Sequence, residues 1–257
     1  MSKKYKEQRE DKSVHVQQRD KVKEELRIRE YPWTPKQKQL IDLVLDKNTK
    51  MVFIKGPAGS SKSILAVYCA LRLLNDKKIS SVQYVRTAIE SSSKSLGYLG
   101  GDKLLKMEPY LQPCMDKLEE LLPSSQTNFL ISDERIKGEV VNFLRGRGSK
   151  NELWIADESQ NFTFSEMTTL ITRLGEHSKM LVLADCKQSD IQKSGFAPIY
   201  DIFNDEESKA RGIHTFEFNT CDILRSATVK YIVEKLEKYE TEKNKGSMFP
   251  DRNSYQV

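Results

Sequence analysis

Histidine and cysteine are scarce in this 257-residue chain, and those present are scattered. The histidines (His15, His177, His214) and cysteines (Cys69, Cys114, Cys186, Cys221) form no C-x-x-C pair and no ligand spacing. That argues against a zinc site and a disulfide frame, and the thiols read as reduced, cytosolic-type groups in apolar settings. A long apolar run is also missing: nothing approaches the roughly 20 residues needed to cross a bilayer, so no membrane partner is expected. The opening Met1-Ser2-Lys3-Lys4-Tyr5-Lys6 runs into further charge rather than an apolar segment. No secretory leader is read there, and a cytoplasmic location is expected. A strong excess of one charge is lacking too. Lys plus Arg (42) exceed Asp plus Glu (37) by only 5, a balance that allows nucleic acid as a partner without requiring it.

What is present centres on residues 51–70. The apolar 51–54 reads as a short buried strand. Gly56-Pro57-Ala58-Gly59-Ser60-Ser61 makes a tight loop, and Lys62-Ser63 opens an amphipathic helix to about residue 74. Strand, glycine loop, Lys-Ser and helix together form the phosphate-binding P-loop pattern. Glycines let backbone N–H groups turn inward around phosphates, and the helix N-terminus adds unpaired donors and a positive dipole end. Lys62 would neutralise the β- and γ-phosphates of ATP, and the Ser63 hydroxyl would ligate Mg²⁺. One position departs from G-x-x-x-x-G-K-[ST]: Ser61 stands where glycine is usual. A near-helical backbone would tolerate serine there, and its hydroxyl could itself donate to phosphate.

The length suits one large α/β domain with extensions. Residues 1–30 read as a charged arm, a solvated helix or disordered. The folded domain is expected over 31–238, beginning where Pro32 and Pro35 interrupt the chain, and a polar tail follows over 239–257. Thr34 and Pro35 cap and open a helix. Gln37, one turn in, offers an acceptor and two donors suited to an adenine edge, or it is surface decoration. Further strands are expected at 81–86, 136–144, 153–156, 179–185 and 214–218. Helices are expected at 103–110, at 112–122, after a cap at Thr163 or Ser165, around 199–203, and after Arg225. Loops leaving the C-terminal strand ends of a parallel sheet line a ligand crevice, which places Arg86, Thr87 and Lys94 on the useful edge. Gly97, Gly100 and Gly101 read as turn geometry. Arg145 and Arg147 could grip phosphate, reach into a neighbouring subunit's site, or form a charged hairpin; because their loop precedes a strand, it is expected at the edge opposite the nucleotide of its own subunit.

The second decisive element is the acid pair at the end of 153–156. Two adjacent carboxylates after a buried strand need a cation to answer them. Asp157 would hold Mg²⁺ and Glu158 would take the proton of the attacking water. Gln188, after the strand ending at Asp185, could touch both γ-phosphate and water. Arg225, at a helix start near a strand end, is placed to meet phosphate. Arg173, in the last turn of its helix, suits the helix dipole.

Taken together, residues 31–238 resemble the PhoH family, P-loop ATPases related to superfamily 1 helicases. The family's G-P-A-G-T-G-K-T appears as 56–63, its L-G-F-L-P-G-D as 96–102, its R-G-R as 145–147 and its D-E-A-Q-N as 157–161. Its T-R-x-G and G-D-x-x-Q-x-D appear as 172–175 and 184–190, and its V-V-R as 223–225. The resemblance implies a three-layer, RecA-like α/β fold with a mostly parallel sheet flanked by helices. It implies ATP and Mg²⁺ as cofactors, with matching roles for Lys62, Ser63, Asp157, Glu158 and Gln188. It also implies Gln37 as adenine contact, and Arg225 with Arg173 as candidates at the γ-phosphate, in one subunit or across an interface. Departures are Ser61, Thr87, Gly100, Ser159 and Ala184, none of which removes a charged residue. Short chains of this kind with a charged leader and S-K-S look like those of bacterial viruses, which would place the protein in a host cytoplasm.

Three functions compete. An ATPase coupled to remodelling of single-stranded RNA or DNA fits the helicase-like motif order. The chain has no room for a second RecA-like domain, so that function calls for a ring homo-oligomer such as a hexamer. A nucleotide-dependent switch or adaptor fits the same P-loop with mild charge. A small-molecule kinase fits less well, because the acid pair followed by Gln160-Asn161, and then Gln188 after its strand, suits water activation better than an acceptor-hydroxyl site.

Overall fold

The computed structural model describes residue 22, residues 24–87, 103–144 and 148–223, and positions 228, 231, 232, 235, 238 and 239. Lys94, Gly97, Gly100, Gly101, Arg145, Arg147, Arg225, most of the expected final helix and the tail lie outside the described residues.

Short apolar runs become the strands β1 (Met51–Lys55), β2 (Ser81–Arg86), β3 (Ile136–Val140), β4 (Glu152–Ala156), β5 (Lys179–Ala184) and β6 (Ile213–Glu217). They form one sheet in the order β3-β2-β4-β5-β1-β6. Among the described residues every pairing is parallel. Parallel neighbours require crossovers, and helices supply most of them. On one face lie α1 (Pro35–Leu45), α2 (Lys62–Asn75), α3 (Lys103–Leu121) and α4 (Ser124–Ser132). On the other lie α5 (Phe164–Ile171) and α6 (Phe196–Ile202), and α7 (Glu206–Ala210) precedes β6. Alternate residues of β1 feed the two cores: Val52 and Ile54 pack under α1 and α2, while Met51 and Phe53 pack under α5 and α6, the period-two signature of a strand buried on both faces. This is the expected three-layer α/β arrangement. Among the described residues no helix is long and apolar enough to cross a membrane.

Caps are local and follow the sequence. Thr34 Oγ1 accepts from Gln37 N at 3.2 Å while Gln37 Oε1 accepts from Thr34 N at 2.9 Å. Thr163, not Ser165, caps α5 through the same reciprocal box with Glu166.

Several expectations are corrected. The two helices expected over 103–122 are one, α3, which carries Pro109 and Pro113 within it. Pro109 is exposed, and each proline lacks the N–H that would close an intrahelical bond. The strand expected over 136–144 stops at Val140 and tightens into a 3-10 turn, Val141–Phe143. α4 had no counterpart in the sequence reading. Cys69 and Cys114 are buried as expected, but Cys186 and Cys221 are exposed.

The arm read over 1–30 is docked in its described part. Leu26 is 4% exposed and Val22 is buried beside it in the α1–α4 core. Asn75 Oδ1 accepts from Leu26 N at 2.8 Å, Gln126 Oε1 from Arg27 N at 2.8 Å, and Leu121 O from Arg29 N at 2.8 Å. Tyr68 Oη donates to the Glu30 carboxylate at 2.8 Å. The high charge of the segment hides two apolar anchors and a set of backbone bonds. Leu26→Ala is expected to lower the unfolding free energy by about 2–3 kcal/mol, read from urea melts; a loosely attached arm would leave it unchanged.

Candidate nucleotide site

The strand order builds the site. β5 lies between β1 and β4, so the loop after β1, the acids after β4 and the turn after β5 open on one edge. There they line a cavity of about 320 Å³ that includes Ala58, Gly59, Ser61, Lys62, Ser63 and Ile64. Asp157, Glu158 and Gln160 face the same cavity, as do Asp185 and Gln188. The P-loop, Glu158 and Gln188 of the sequence reading are thereby brought together.

Within the P-loop each residue has a distinct task. Gly56 admits no side chain, because an added Cβ would stand 2.7 Å from Phe218 Cβ. Gly59 adopts φ +85°, in the left-handed region that glycine enters freely. Ser60 is buried and turns its hydroxyl onto Pro57 O at 2.8 Å. Gly56 and Pro57 line an adjoining cavity behind the loop, with Asp185 common to both. Ser61 corrects the sequence expectation. It is not near-helical but left-handed, with φ 67° and ψ 19°, and its side chain makes no cap bond. Serine in that well costs about 1–2 kcal/mol relative to the ordinary helical region.

Lys62 Nζ donates to Gly56 O at 2.7 Å and Pro57 O at 2.9 Å, so the ammonium rests on the loop's own carbonyls. Burial lowers its pKa below the ordinary lysine value, and the charges of Asp185, Asp157 and Glu158 act against that shift.

The two residues expected to serve a metal adjoin: Ser63 Oγ donates to Asp157 Oδ1 at 3.2 Å. Asp157 is buried, and its other oxygen, Oδ2, accepts from Tyr84 Oη on β2. Tyr84 is 0% exposed. Burial first, then the Asp157 charge, pushes its phenol pKa far up, which keeps it protonated and a donor. Among the described residues no group of three or more His, Cys, Asp or Glu could hold a metal unaided. One hydroxyl and one carboxylate suit Mg²⁺, which usually takes few protein ligands and completes its shell with phosphate oxygens and water.

Glu158 lies in the left-handed region at φ 54°, ψ 38°. Its Oε2 accepts from Gln160 Nε2 at 2.5 Å.

Other expected residues fall elsewhere. Gln37 is 1% exposed and is not among the cavity's lining. Its oxygen serves the α1 cap, and its Nε2 is buried with no hydrogen-bond partner among the described residues. This spare N–H₂ is the half of the amide that the cap does not use. Arg173 is on the far side. Its carbonyl accepts from Ser149 N at 3.0 Å, just before β4 begins, so it sits at the edge opposite the cavity. It is not among the residues that line the cavity.

Sequence reading missed Tyr84, and Lys117 with Glu120, which line the cavity from α3, and it carried Gln160 only within the string 157–161, with no task of its own. An acid facing a tyrosine 73 positions away leaves no local signal, and α3 shows in the sequence chiefly as an apolar stripe.

A profile described as PhoH-like protein matches residues 30–237. The chain belongs to the PhoH family. A PhoH-like protein of Mycobacterium tuberculosis (strain ATCC 25618 / H37Rv) is 34% identical over 212 residues, covering 81% of this chain and 58% of the relative. One of Bacillus subtilis (strain 168) is 34% identical over 195 residues, 75% of this chain and 60% of the relative. The protein PhoH of Escherichia coli (strain K12) is 30% identical over 194 residues, 74% and 53% of the two chains. This PhoH-family chain therefore spans less than two thirds of the length of these relatives. Among solved structures it is similar to the Pif1 helicase from Candida albicans, with a TM-score of 0.37 and 15% identity over 74% of this chain and 40% of that one.

Two outcomes are expected at the site. Ser61→Gly relieves the left-handed strain and raises stability by up to about 1 kcal/mol after the greater chain entropy of glycine is subtracted, read as a higher thermal midpoint. Tyr84→Phe leaves Asp157 Oδ2 without its donor and lowers stability by about 1–3 kcal/mol, read from chemical unfolding; an unchanged midpoint would mean that the phenol contributes nothing.

Proposed function

We propose that this chain binds ATP with Mg²⁺, hydrolyses it, and couples hydrolysis to single-stranded RNA or DNA in a ring-like homo-oligomer. The observation that carries the reading is the convergence of Lys62, Ser63, Asp157, Glu158 and Gln188 on one cavity, with Ser63 and Asp157 in hydrogen-bond contact.

Ser63 Oγ and the Asp157 carboxylate would hold the magnesium. Bound there, the ion supplies charge neutralisation across the β- and γ-phosphates. The loop N–H groups and the α2 N-terminus cradle the phosphates, and Lys62 exchanges its carbonyl partners for phosphate oxygens. Glu158 accepts the proton of the attacking water. Gln188, on the neighbouring turn, orients that water and meets the γ-phosphate. A cation at the γ-phosphate completes such a site. Among the described residues lining the cavity there is no arginine, so Arg225 or a neighbouring subunit's arginine supplies it, with Arg173 a candidate only across an interface. A cation from a neighbouring subunit would call for assembly, whereas Arg225 of the same chain would not.

The test is phosphate release with Mg²⁺ and ATP, with and without single-stranded RNA or DNA. Glu158→Gln is expected to lower kcat by about 10²-fold or more and retain nucleotide, and Lys62→Ala to lose nucleotide affinity. Stimulation by nucleic acid that disappears in Glu158→Gln supports the full reading. A steady rate indifferent to RNA and DNA would point instead to a nucleotide-dependent switch acting on a protein partner, and a monomer by light scattering with ATP present would remove the ring.

A further inference from the structure

Gln160 stands two residues beyond Glu158, in the 3-10 turn Ser159–Asn161. It is only 2% exposed, and both ends of its amide are used. Oε1 accepts from Asp185 N at 3.0 Å, at the end of β5. Nε2 donates to Glu158 Oε2 at 2.5 Å and points at Gln188 O at 3.4 Å. The surroundings make this arrangement stiff. Ser189 Oγ donates to Gln160 O at 3.1 Å. Asn161 Nδ2 donates to Asp190 Oδ2 at 2.8 Å, and Asn161 Oδ1 accepts from Asp190 N at 2.8 Å. The acid turn after β4 and the glutamine turn after β5 are stitched into one unit. Glu158 itself is left-handed, a conformation that persists only where its neighbours over-determine it.

We propose that Gln160 is a positioning residue that aims the Glu158 carboxylate and ties it to the turn bearing Gln188. A carboxylate with free torsions would sample several directions; a charge-assisted bond from a buried, doubly anchored amide selects one. Because the same amide group faces both Glu158 and the Gln188 carbonyl, a displacement of one turn re-aims the other. The base and the residue meeting the γ-phosphate therefore move together. This role rests on the reading of Glu158 as the water-activating acid.

Gln160→Glu tests it with little change of shape. It keeps an acceptor for Asp185 N and replaces the donor facing Glu158 with a second carboxylate oxygen. The expected result is a fall in kcat of about tenfold or more with KM for ATP, and affinity for a fluorescent ADP analogue with Mg²⁺, held within about twofold. The double variant E158Q/Q160E reverses donor and acceptor. It is expected to recover the thermal midpoint lost in Gln160→Glu while its rate stays at the Glu158→Gln level, the non-additivity of residues acting as a unit. Gln160→Glu hydrolysing at the parent rate would overturn the positioning role. So would a loss of nucleotide affinity in parallel with rate, or an effect that adds in full to Glu158→Gln. Normal hydrolysis by Glu158→Gln alone would overturn the reading of Glu158, and the role of Gln160 with it.

Discussion

A carboxylate buried at the end of a parallel strand must be met on each oxygen, and in this fold Asp157 is. Tyr84 reaches it from β2, Ser63 from the first turn of α2, and the backbone N–H of Glu158 closes on Oδ1 at 3.0 Å. These contacts join three segments far apart in the chain, so the P-loop helix, the acid turn and the neighbouring strand are registered against one another through a single group. The parallel pairing of β4 with β2 and β5 sets the height at which Asp157 emerges. Everything that faces the cavity is positioned relative to that height.

The positions of strain follow from the same demand. Ser61 and Glu158 are both left-handed residues bordering one cavity. At Ser61 the chain must leave the loop and enter α2 at Lys62. At Glu158 it must leave β4 abruptly enough to place two acids side by side and then turn back under β5. In each case the surrounding hydrogen bonds hold a backbone that would relax on its own.

What the sequence revealed is what is locally encoded. The P-loop is a contiguous string whose glycines and Lys-Ser have fixed offsets, and the acid pair follows a visibly buried strand. The reciprocal caps at Thr34 and Thr163 span three residues each. What stayed hidden is non-local or conformational. Tyr84 looked like one more strand residue, because its partner lies on another strand. The backbone angle of Ser61 is not written in its side chain. Arg173 was a candidate at the γ-phosphate, in one subunit or across an interface, through a family resemblance; it follows α5 and meets Ser149 N just before β4, at the edge opposite the cavity. The docked residues 24–30 were masked by their charge, since Leu26 and Val22 are few among many polar neighbours. Lys117 and Glu120 were invisible because a helix read for its core stripe says nothing about what its outer face overlooks.

The resting place of Lys62 has a bearing on what the loop will accept. With its ammonium already satisfied by two carbonyls of the same loop, an incoming anion gains only the difference between its own attraction and theirs. The two carbonyls are in this way a threshold that any anion approaching the ammonium has to exceed.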